Sequence, residues 1–116
     1  RGTKRLITVE PTQTVLEAIE LMKKYDIENI PVMDNGISVG AISAGGLFNK
    51  ILSNPDIKSE TIATVMEKAY PEVAFETPVE RLSSFITKEN GAVLSKDESG
   101  TFHIVTKYDI IQSLTK

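Results

Sequence analysis

Apolar positions along the chain follow two patterns, one with helical spacing and one typical of short strands. From Thr14 to about Tyr25 the spacing predicts a helix whose apolar stripe is formed by Val15, Leu16, Ile19 and Met22. The segment 6–9 (LITV) before it, and the runs 29–33 (NIPVM) and 38–42 (SVGAI) after it, are predicted strands. Asp-Asn-Gly between the two later runs favours a β-hairpin, because Asn and Gly accept positive φ angles.

A further helix is predicted by the apolar stripe that follows this hairpin, formed by Leu47, Phe48, Ile51 and Leu52. We expect Ser-Asn-Pro-Asp at 53–56 to end it, since proline cannot continue a helix. Residues 54–60 (NPDIKSE) are predicted to be a polar linker, and 61–67 (TIATVME) a helix that connects the two halves of the chain.

The second half of the chain repeats this order of elements. Thr14-Val15-Leu16-Glu17 and Thr77-Pro78-Val79-Glu80, 63 positions apart, each predict a capping box at the start of a helix. The segments 28–34 and 89–95 correspond at an offset of 61, and 39–43 and 102–106 at an offset of 63. Three matches in one order indicate an internal duplication, in which each copy has the order strand, helix, strand, strand, helix.

In the second copy the first helical stripe is predicted to contain Val79, Leu82, Phe85 and Ile86. The runs 91–95 and 101–105 predict a hairpin around 96–100 (KDESG), and a last helix carries Ile110, Ile111 and Leu114. The predicted fold is α/β in the α+β sense, with two pseudo-symmetric β-α-β-β-α repeats, 1–55 and 56–116, packed against each other because neither is large enough to bury its own faces.

Composition narrows the chemistry that the chain can perform. With 116 residues, 41% hydrophobic, 25% charged and a net charge of −3, the sequence predicts one folded module without the basic surface that nucleic acids require. No cysteine and a single histidine, His103, argue against a metal site or thiol chemistry. No apolar run is long enough to span a membrane, so we expect a cytoplasmic protein, and the start at Arg-Gly-Thr-Lys-Arg without methionine suggests a fragment of a longer one.

The duplicated pattern resembles a known family. The segment 14–43, TVLEAIELMKKYDIENIPVMDNGISVGAIS, is similar to a CBS domain, and the two copies together resemble a tandem CBS-domain pair, the Bateman module. The second copy diverges, with Ala92 in place of Pro31 and His103 in place of Gly40. Such pairs bind adenine-containing ligands in the clefts between their repeats, so the resemblance implies a regulatory module without catalytic activity of its own.

Three segments, HIVTKYDII, FITKENGAVL and ISAGGLFNKIL, are more closely similar to the C-terminal regulatory region of cystathionine β-synthases, which are pyridoxal-phosphate enzymes. This likeness implies S-adenosylmethionine as the ligand and the parent protein's own catalytic domain as the partner. Pyridoxal phosphate is expected only in that domain. AMP or ATP, bound by a CBS module of another protein, is the alternative.

The family holds the ribose of its ligand with a Ser/Thr-x-x-Asp motif, which this chain has as Thr106-Lys107-Tyr108-Asp109. An ionised Asp can accept hydrogen bonds from both vicinal ribose hydroxyls. The same residues are also a capping box that needs no ligand. Because the first copy has Ser43-Ala44-Gly45-Gly46 at this place and lacks the acid, we predict a single ligand site, in the second copy.

The remaining site residues are implied by the resemblance, each with a structural alternative. Ile104 and Tyr108 would face the base, although packing would explain them equally well. Leu6 would line the adenine pocket, and the segment before the second strand of the first copy would contact the base and the aminoacyl end, formed by Ile27, Glu28, Asn29 and Ile30. Glu28 and Asn29 would bind the ammonium group of a methionine moiety; a solvated turn is the alternative.

Charged residues near this region favour a particular class of ligand. Lys88 and Lys107 are candidates to bind phosphates, but acidic side chains outnumber them, namely Asp26, Glu28 and Glu89. This balance favours the zwitterionic, sulfonium-bearing S-adenosylmethionine over a polyanion such as ATP. Two other classes remain open: a structural module that forms a homodimer through the Leu47 and Ile110 helices, and an enzyme, for which His103 has no neighbouring nucleophile to activate.

Overall fold

The computed structural model describes residues 6–88 and 90–115, in which helices and strands are mixed, and so confirms the α+β fold. Contacts divide the chain into two compact units, one from Ile7 to Ala69 and one that begins at Tyr70 and includes Leu6. The contact boundary thus lies after Ala69, whereas the repeat boundary after residue 55 stays a prediction.

The first unit contains most of the elements that the sequence predicts in its first half, together with a 3₁₀ helix that the sequence does not predict. Its helices and strands are α1 (Val15–Tyr25), β1 (Asn29–Asp34), β2 (Ile37–Ser43), α2 (Ala44–Ser53) and α3 (Ile62–Val65). The predicted polar linker is wrong in one respect, because Pro55–Ser59 forms a 3₁₀ helix, and the Asn54 side chain caps it by accepting from the Asp56 N–H.

Helix α1 begins with the predicted capping box. The Thr14 N–H donates to Glu17 Oε1 at 2.9 Å and the Glu17 N–H donates to Thr14 Oγ1 at 3.2 Å. The apolar stripe differs from the prediction at one position, since Leu16 is 45% exposed while Ala18 is fully buried. Positions 15, 18, 19 and 22 follow the three- and four-residue spacing of one helix face, and position 16 lies to the side of it.

Strands β1 and β2 form the predicted antiparallel hairpin, in which Ile30 pairs with Ile42. Asn35 and Gly36, at φ angles of 52° and 81°, form the tight turn for which Asn-Gly is favoured. The predicted strand 6–9 is reduced to a single parallel bridge between Val9 and Val32. The core under the hairpin is made of Val9, Val15, Ala18, Ile30, Val32, Ile42, Leu47, Ile62 and Val65.

The second unit contains β3 (Glu72–Ala74), α4 (Val79–Leu82), β4 (Ala92–Lys96), β5 (Phe102–Thr106) and α5 (Lys107–Leu114). Its sheet has the order β3-β4-β5, with β3 parallel and β5 antiparallel to β4. Its small core consists of buried Leu82, Val93 and Ile110, with Val73, Val79, Ile86 and Val105 packed around them.

The capping box predicted at Thr77 does not form. Pro78 occupies the N-cap position with an extended ψ of 148°, no side chain caps the helix, and α4 has only four residues before a 3₁₀ turn at Ser83–Phe85. The Thr77 N–H donates instead to the Ala74 carbonyl at 3.0 Å, which places Thr77 in a turn before the helix. A Thr side chain outside the N-cap position cannot reach the amide of the third helical residue. The sequence motif is therefore present, but the capping box is not formed.

Candidate ligand-binding site

Thr106 and Asp109 meet at the junction where β5 ends and α5 begins. Thr106 is the N-cap residue, with extended φ and ψ angles, and its Oγ1 accepts from the Asp109 N–H at 3.3 Å. Asp109 Oδ2 accepts from the Thr106 N–H at 2.9 Å and from the Thr106 hydroxyl at 3.0 Å. The predicted capping box is therefore complete, and both side chains are half-buried.

The other carboxylate oxygen of Asp109 is not used by the protein. Within residues 6–88 and 90–115, no donor bonds to Oδ1, while Oδ2 carries both contacts to Thr106. An unprotonated carboxylate oxygen has two lone pairs and can accept two hydrogen bonds. The junction is thus able to start the helix and to accept hydrogen bonds from a diol at the same time, so the two interpretations of the motif do not exclude each other.

The corresponding junction of the first repeat is built differently. Ser43 caps α2, and its Oγ accepts from the Gly46 N–H at 3.0 Å, but Gly46 supplies no acid. A Cβ atom added at Gly46 would overlap with Glu67 Oε2. Glu67 also forms an ion pair with Lys50 at 3.2 Å. A carboxylate is therefore present beside this junction, but it belongs to a residue that the motif does not contain.

Two predicted base contacts flank the motif in the second unit. Tyr108 lies in the first turn of α5 with 61% of its surface exposed, so its ring is accessible to a ligand. Ile104 is half-buried on β5, where it pairs with Leu94. Leu6 is half-buried and groups with this unit rather than with the first. The roles of all three in binding stay predictions.

The segment Ile27 to Ile30 belongs to the first unit. Ile27 packs against the first core and Ile30 is fully buried in it. The role of either residue in ligand binding stays a prediction. Glu28 is exposed, and its carbonyl accepts from the Ala44 N–H at 2.9 Å, which ties the segment to the start of α2. The proposed contacts of Glu28 and Asn29 with an aminoacyl group stay predictions.

The charged groups used to choose the ligand lie in different parts of the chain. Lys107 is exposed in the first turn of α5, and Lys88 is exposed in the segment before β4. Asp26 is the left-handed C-cap residue of α1, with φ 54°. Glu89 lies outside the residues that the structure describes.

His103 belongs to a structural cluster that the sequence interpretation missed. Its Nε2 lies 2.9 Å from Asp97 Oδ2, and its ring centroid lies 5.1 Å from that of Phe75. Asp97 Oδ1 accepts from the Ser99 N–H, the Ser99 hydroxyl and the Thr101 N–H. The hydrogen bond to His103, followed by those from Ser99 and Thr101, holds the pKa of Asp97 well below its usual range. The available signal was Asp97 at the start of the polar segment 97–101, because Asp side chains commonly close turns on backbone amides.

The described residues contain neither a candidate metal site nor a membrane-spanning helix. In 6–88 and 90–115, no group of three or more His, Asp or Glu side chains is placed to hold a metal ion. The helices in the same ranges are all too short or too polar to cross a membrane.

Comparison with known proteins agrees with this architecture. Residues 2–53, somewhat less than half of the chain, match the family model described as CBS domain. Cystathionine beta-synthase from Dictyostelium discoideum is 26% identical over 116 residues; the match covers 95% of this chain and 23% of that protein. This chain therefore spans under a quarter of the length of that relative.

Among solved structures, the CBS-domain protein NE2398 superposes with a TM-score of 0.85 at 16% identity, covering 97% of this chain and 89% of that one. The structure of CBSX2 in complex with AMP gives a TM-score of 0.73 at 20% identity, with coverages of 96% and 88%. At these identities the likeness shows the fold. The resemblance to CBS-domain proteins, predicted from the repeats, is confirmed.

Proposed function

We propose that this chain, which carries a CBS domain in residues 2–53 and has the fold of CBS-domain proteins, is a regulatory module that binds an adenosyl compound. The observation that carries the proposal is the junction of β5 and α5, where Asp109 Oδ2 completes a helix cap and Oδ1 receives no hydrogen bond from any residue that the structure describes. A ribose supplies two neighbouring hydroxyl donors, which match the lone pairs of that oxygen.

The ligand that we favour is S-adenosylmethionine. The likeness to a cystathionine beta-synthase and the predominance of acidic over basic residues in the predicted ligand region both support a zwitterionic or cationic ligand. AMP is the second candidate, since CBSX2, a structural neighbour, is described in complex with AMP. The exposed Lys107 beside the motif would contact a phosphate group if AMP were the ligand.

Binding would act on a larger protein. We propose that the parent chain has a pyridoxal-phosphate-dependent catalytic domain of the cystathionine β-synthase type and that the ligand alters its activity. Ligand binding can change a conformational equilibrium only by the difference in affinity between the two states. The sign of regulation would follow from whichever state binds the ligand more tightly.

A structural role in self-association is the second candidate function. The observation that favours it is a set of large apolar side chains that are more than half exposed on α2 and α5: Phe48, Leu52, Ile111 and Leu114. Such side chains on two helices are common where protein surfaces associate. A homodimer formed in this way is compatible with ligand sensing and does not require it.

The decisive experiment is a thermal shift measurement with S-adenosylmethionine, AMP, ADP and ATP. A ligand present at 100 times its dissociation constant adds about 2.7 kcal/mol to the free energy of unfolding. We expect the largest increase in Tm with S-adenosylmethionine and a smaller one with AMP. If none of the four compounds raises Tm at millimolar concentration, the sensor function is wrong and the structural role takes its place.

A further inference from the structure

Two of the positions at which the repeats differ lie on either side of their strand-to-helix junctions. Gly40 in β2 corresponds to His103 in β5, and Gly46 in α2 corresponds to Asp109 in α5. In the first unit both glycines face the same short segment, Met66-Glu67, which follows α3. One packing arrangement therefore accounts for both differences.

Met66 and Glu67 lie along the open edge of β2. Glu67 pairs with Ala41 in an antiparallel bridge, with one hydrogen bond of 2.9 Å from the Ala41 N–H and one of 2.8 Å from the Glu67 N–H. A Cβ atom at Gly40 would lie 2.6 Å from Met66 Sδ and 3.1 Å from the Glu67 carbonyl oxygen. A side chain at position 40 would thus require the Met66 side chain to move and would crowd the Glu67 carbonyl oxygen.

The bridge directs the Glu67 carboxylate to the start of α2. A Cβ atom at Gly46 would overlap with Glu67 Oε2 and lie 3.1 Å from its Cδ, while Lys50, one turn further along α2, holds the same oxygen at 3.2 Å. Gly46 is the third residue of α2, the position at which Asp109 stands in α5. The Glu67 carboxylate occupies the space into which an acid at position 46 would extend.

Gly46 has no other structural reason to be glycine. Its φ angle is not in the left-handed region, and glycine is the least favourable residue in a helix after proline. The neighbouring Gly45 has nothing within 4 Å of its Cβ position. Ser43 Oγ is also close to the Cβ position of Gly46, at 2.9 Å, but Thr106 and Asp109 show that a hydroxyl cap and a third-residue side chain fit together.

We propose that Glu67 closes the junction of the first repeat. Its carboxylate occupies the space of the missing acid, forms an ion pair with Lys50, and must be displaced before a side chain can stand at position 46, so that an adenosyl ligand is held by the second repeat alone. The ligand half of this proposal rests on the proposed function; the steric half does not. Glu67 is thus a residue that sets how many ligands the chain binds.

The first test is a ligand-free mutant cycle followed by Tm. With Glu67 present, Gly46→Ala has to displace the Glu67 carboxylate from its ion pair with Lys50, so we expect the gain in Tm from the better helix former to be reduced or lost. In a Glu67→Ala background the same change is expected to raise Tm by about 3 °C. Gly45→Ala, one position away, is the matched control and should raise Tm in both backgrounds. Equal effects of Gly46→Ala in the two backgrounds would overturn the proposal.

The second test counts ligands by isothermal titration with S-adenosylmethionine. We expect one per chain for the wild type and for Gly46→Asp, and two for Gly46→Asp combined with Glu67→Ala. A second ligand with Gly46→Asp alone, or none added in the double variant, would overturn the claim that Glu67 sets the stoichiometry. If the wild type binds no ligand, the proposed function fails, while the Tm cycle still decides whether Glu67 closes the junction.

Discussion

The two oxygens of the Asp109 carboxylate have different roles. One bonds to the protein, and the other could accept hydrogen bonds from a ligand that approaches from solvent. Oδ2 completes the cap of α5, and Oδ1 accepts no hydrogen bond from the described residues. In α1, Glu17 completes an equivalent cap with a side chain that is one methylene longer. Either Asp or Glu can therefore complete the cap. A ribose diol held at a fixed distance from the helix, however, would be bound by only one of the two side-chain lengths.

Replacement of Asp109 by Glu separates these two roles. We expect Asp109→Glu to keep the capping box, as Glu17 does, and to change Tm by less than about 2 °C. The added methylene shifts the oxygens relative to the ribose, so affinity for S-adenosylmethionine should fall at least about tenfold, equivalent to roughly 1.4 kcal/mol. Titration calorimetry and a thermal melt on the same sample measure both quantities.

Removal of the acid needs a control for the lost cap. Asp109→Ala and Glu17→Ala each remove a reciprocal cap bond and should each lower the free energy of unfolding by about 1 kcal/mol. Only Asp109→Ala should abolish ligand binding. If Glu17→Ala weakens binding equally, the loss reflects stability, and if Asp109→Ala binds normally, the site has been assigned to the wrong residue.

Local chemistry explains which caps were predicted correctly. The motifs at Thr14 and Thr106 form because each Thr occupies the N-cap position with extended backbone angles. The same pattern at Thr77 fails because the residue that follows is Pro78, which itself becomes the N-cap residue. A four-residue motif identifies residues that could form a cap. Which residue becomes the N-cap, however, depends on the turn that precedes the helix.

At the scale of elements, the turn residues predict the structure of the first hairpin loop better than that of the second. Asn35-Gly36 requires positive φ angles at both positions, and the structure has them. The loop 97–101 has no such signal except Gly100, at φ 88°, and is organised by a single side chain, that of Asp97. Its pairing with His103 spans six residues across the hairpin, which no local pattern specifies.

The Asp97 loop should make stability depend on pH in the acid range. Because the folded pKa of Asp97 is depressed, its contribution is present above about pH 4 and is lost as pH falls through the acid range towards the folded pKa. We expect Asp97→Asn to be less stable than the wild type at pH 7 and the difference to shrink steadily between about pH 5 and pH 2. Urea unfolding at several pH values measures this.

Glu98 provides a charge-matched control for that experiment. It is exposed in the same loop, and within the described residues its carboxylate accepts no hydrogen bond. Glu98→Gln removes the same formal charge but leaves the loop bonded, so its pH profile should follow that of the wild type. A parallel change in both variants would mean that net charge, rather than the Asp97 bonds, causes the dependence.

At the scale of the whole molecule, the duplication was the most informative feature of the sequence. It predicts the order of elements in both halves and the likeness to CBS-domain proteins, since each copy carries its own hydrophobic pattern. It does not predict the contact of Glu67 with Gly46, because Glu67 belongs to the segment 61–67 that is predicted to connect the two halves. Nor does it predict which apolar helix positions are exposed, such as Leu16, Phe48 and Leu52.

Exposed apolar residues on α2 allow self-association to be tested directly. Phe48 and Leu52 are 62% and 67% exposed, so replacement of both by Ser should leave the core intact and Tm little changed. If α2 forms a homodimer interface, sedimentation velocity should show a dimer for the wild type and a monomer for the double variant. Leu16→Ser, at a 45% exposed site on α1, is the control and should remain dimeric. A monomeric wild type would contradict this interface.

The bridge between Ala41 and Glu67 has a further consequence for deuterium uptake. Each residue donates its amide hydrogen to the carbonyl of the other, at 2.9 Å and 2.8 Å, so neither amide can be released without opening the pair. In native-state exchange the two amides should therefore show one common free energy of opening, set by opening of the hairpin edge rather than by loop motion. The segment after α3, although it has no helix or strand of its own, would then open together with the hairpin.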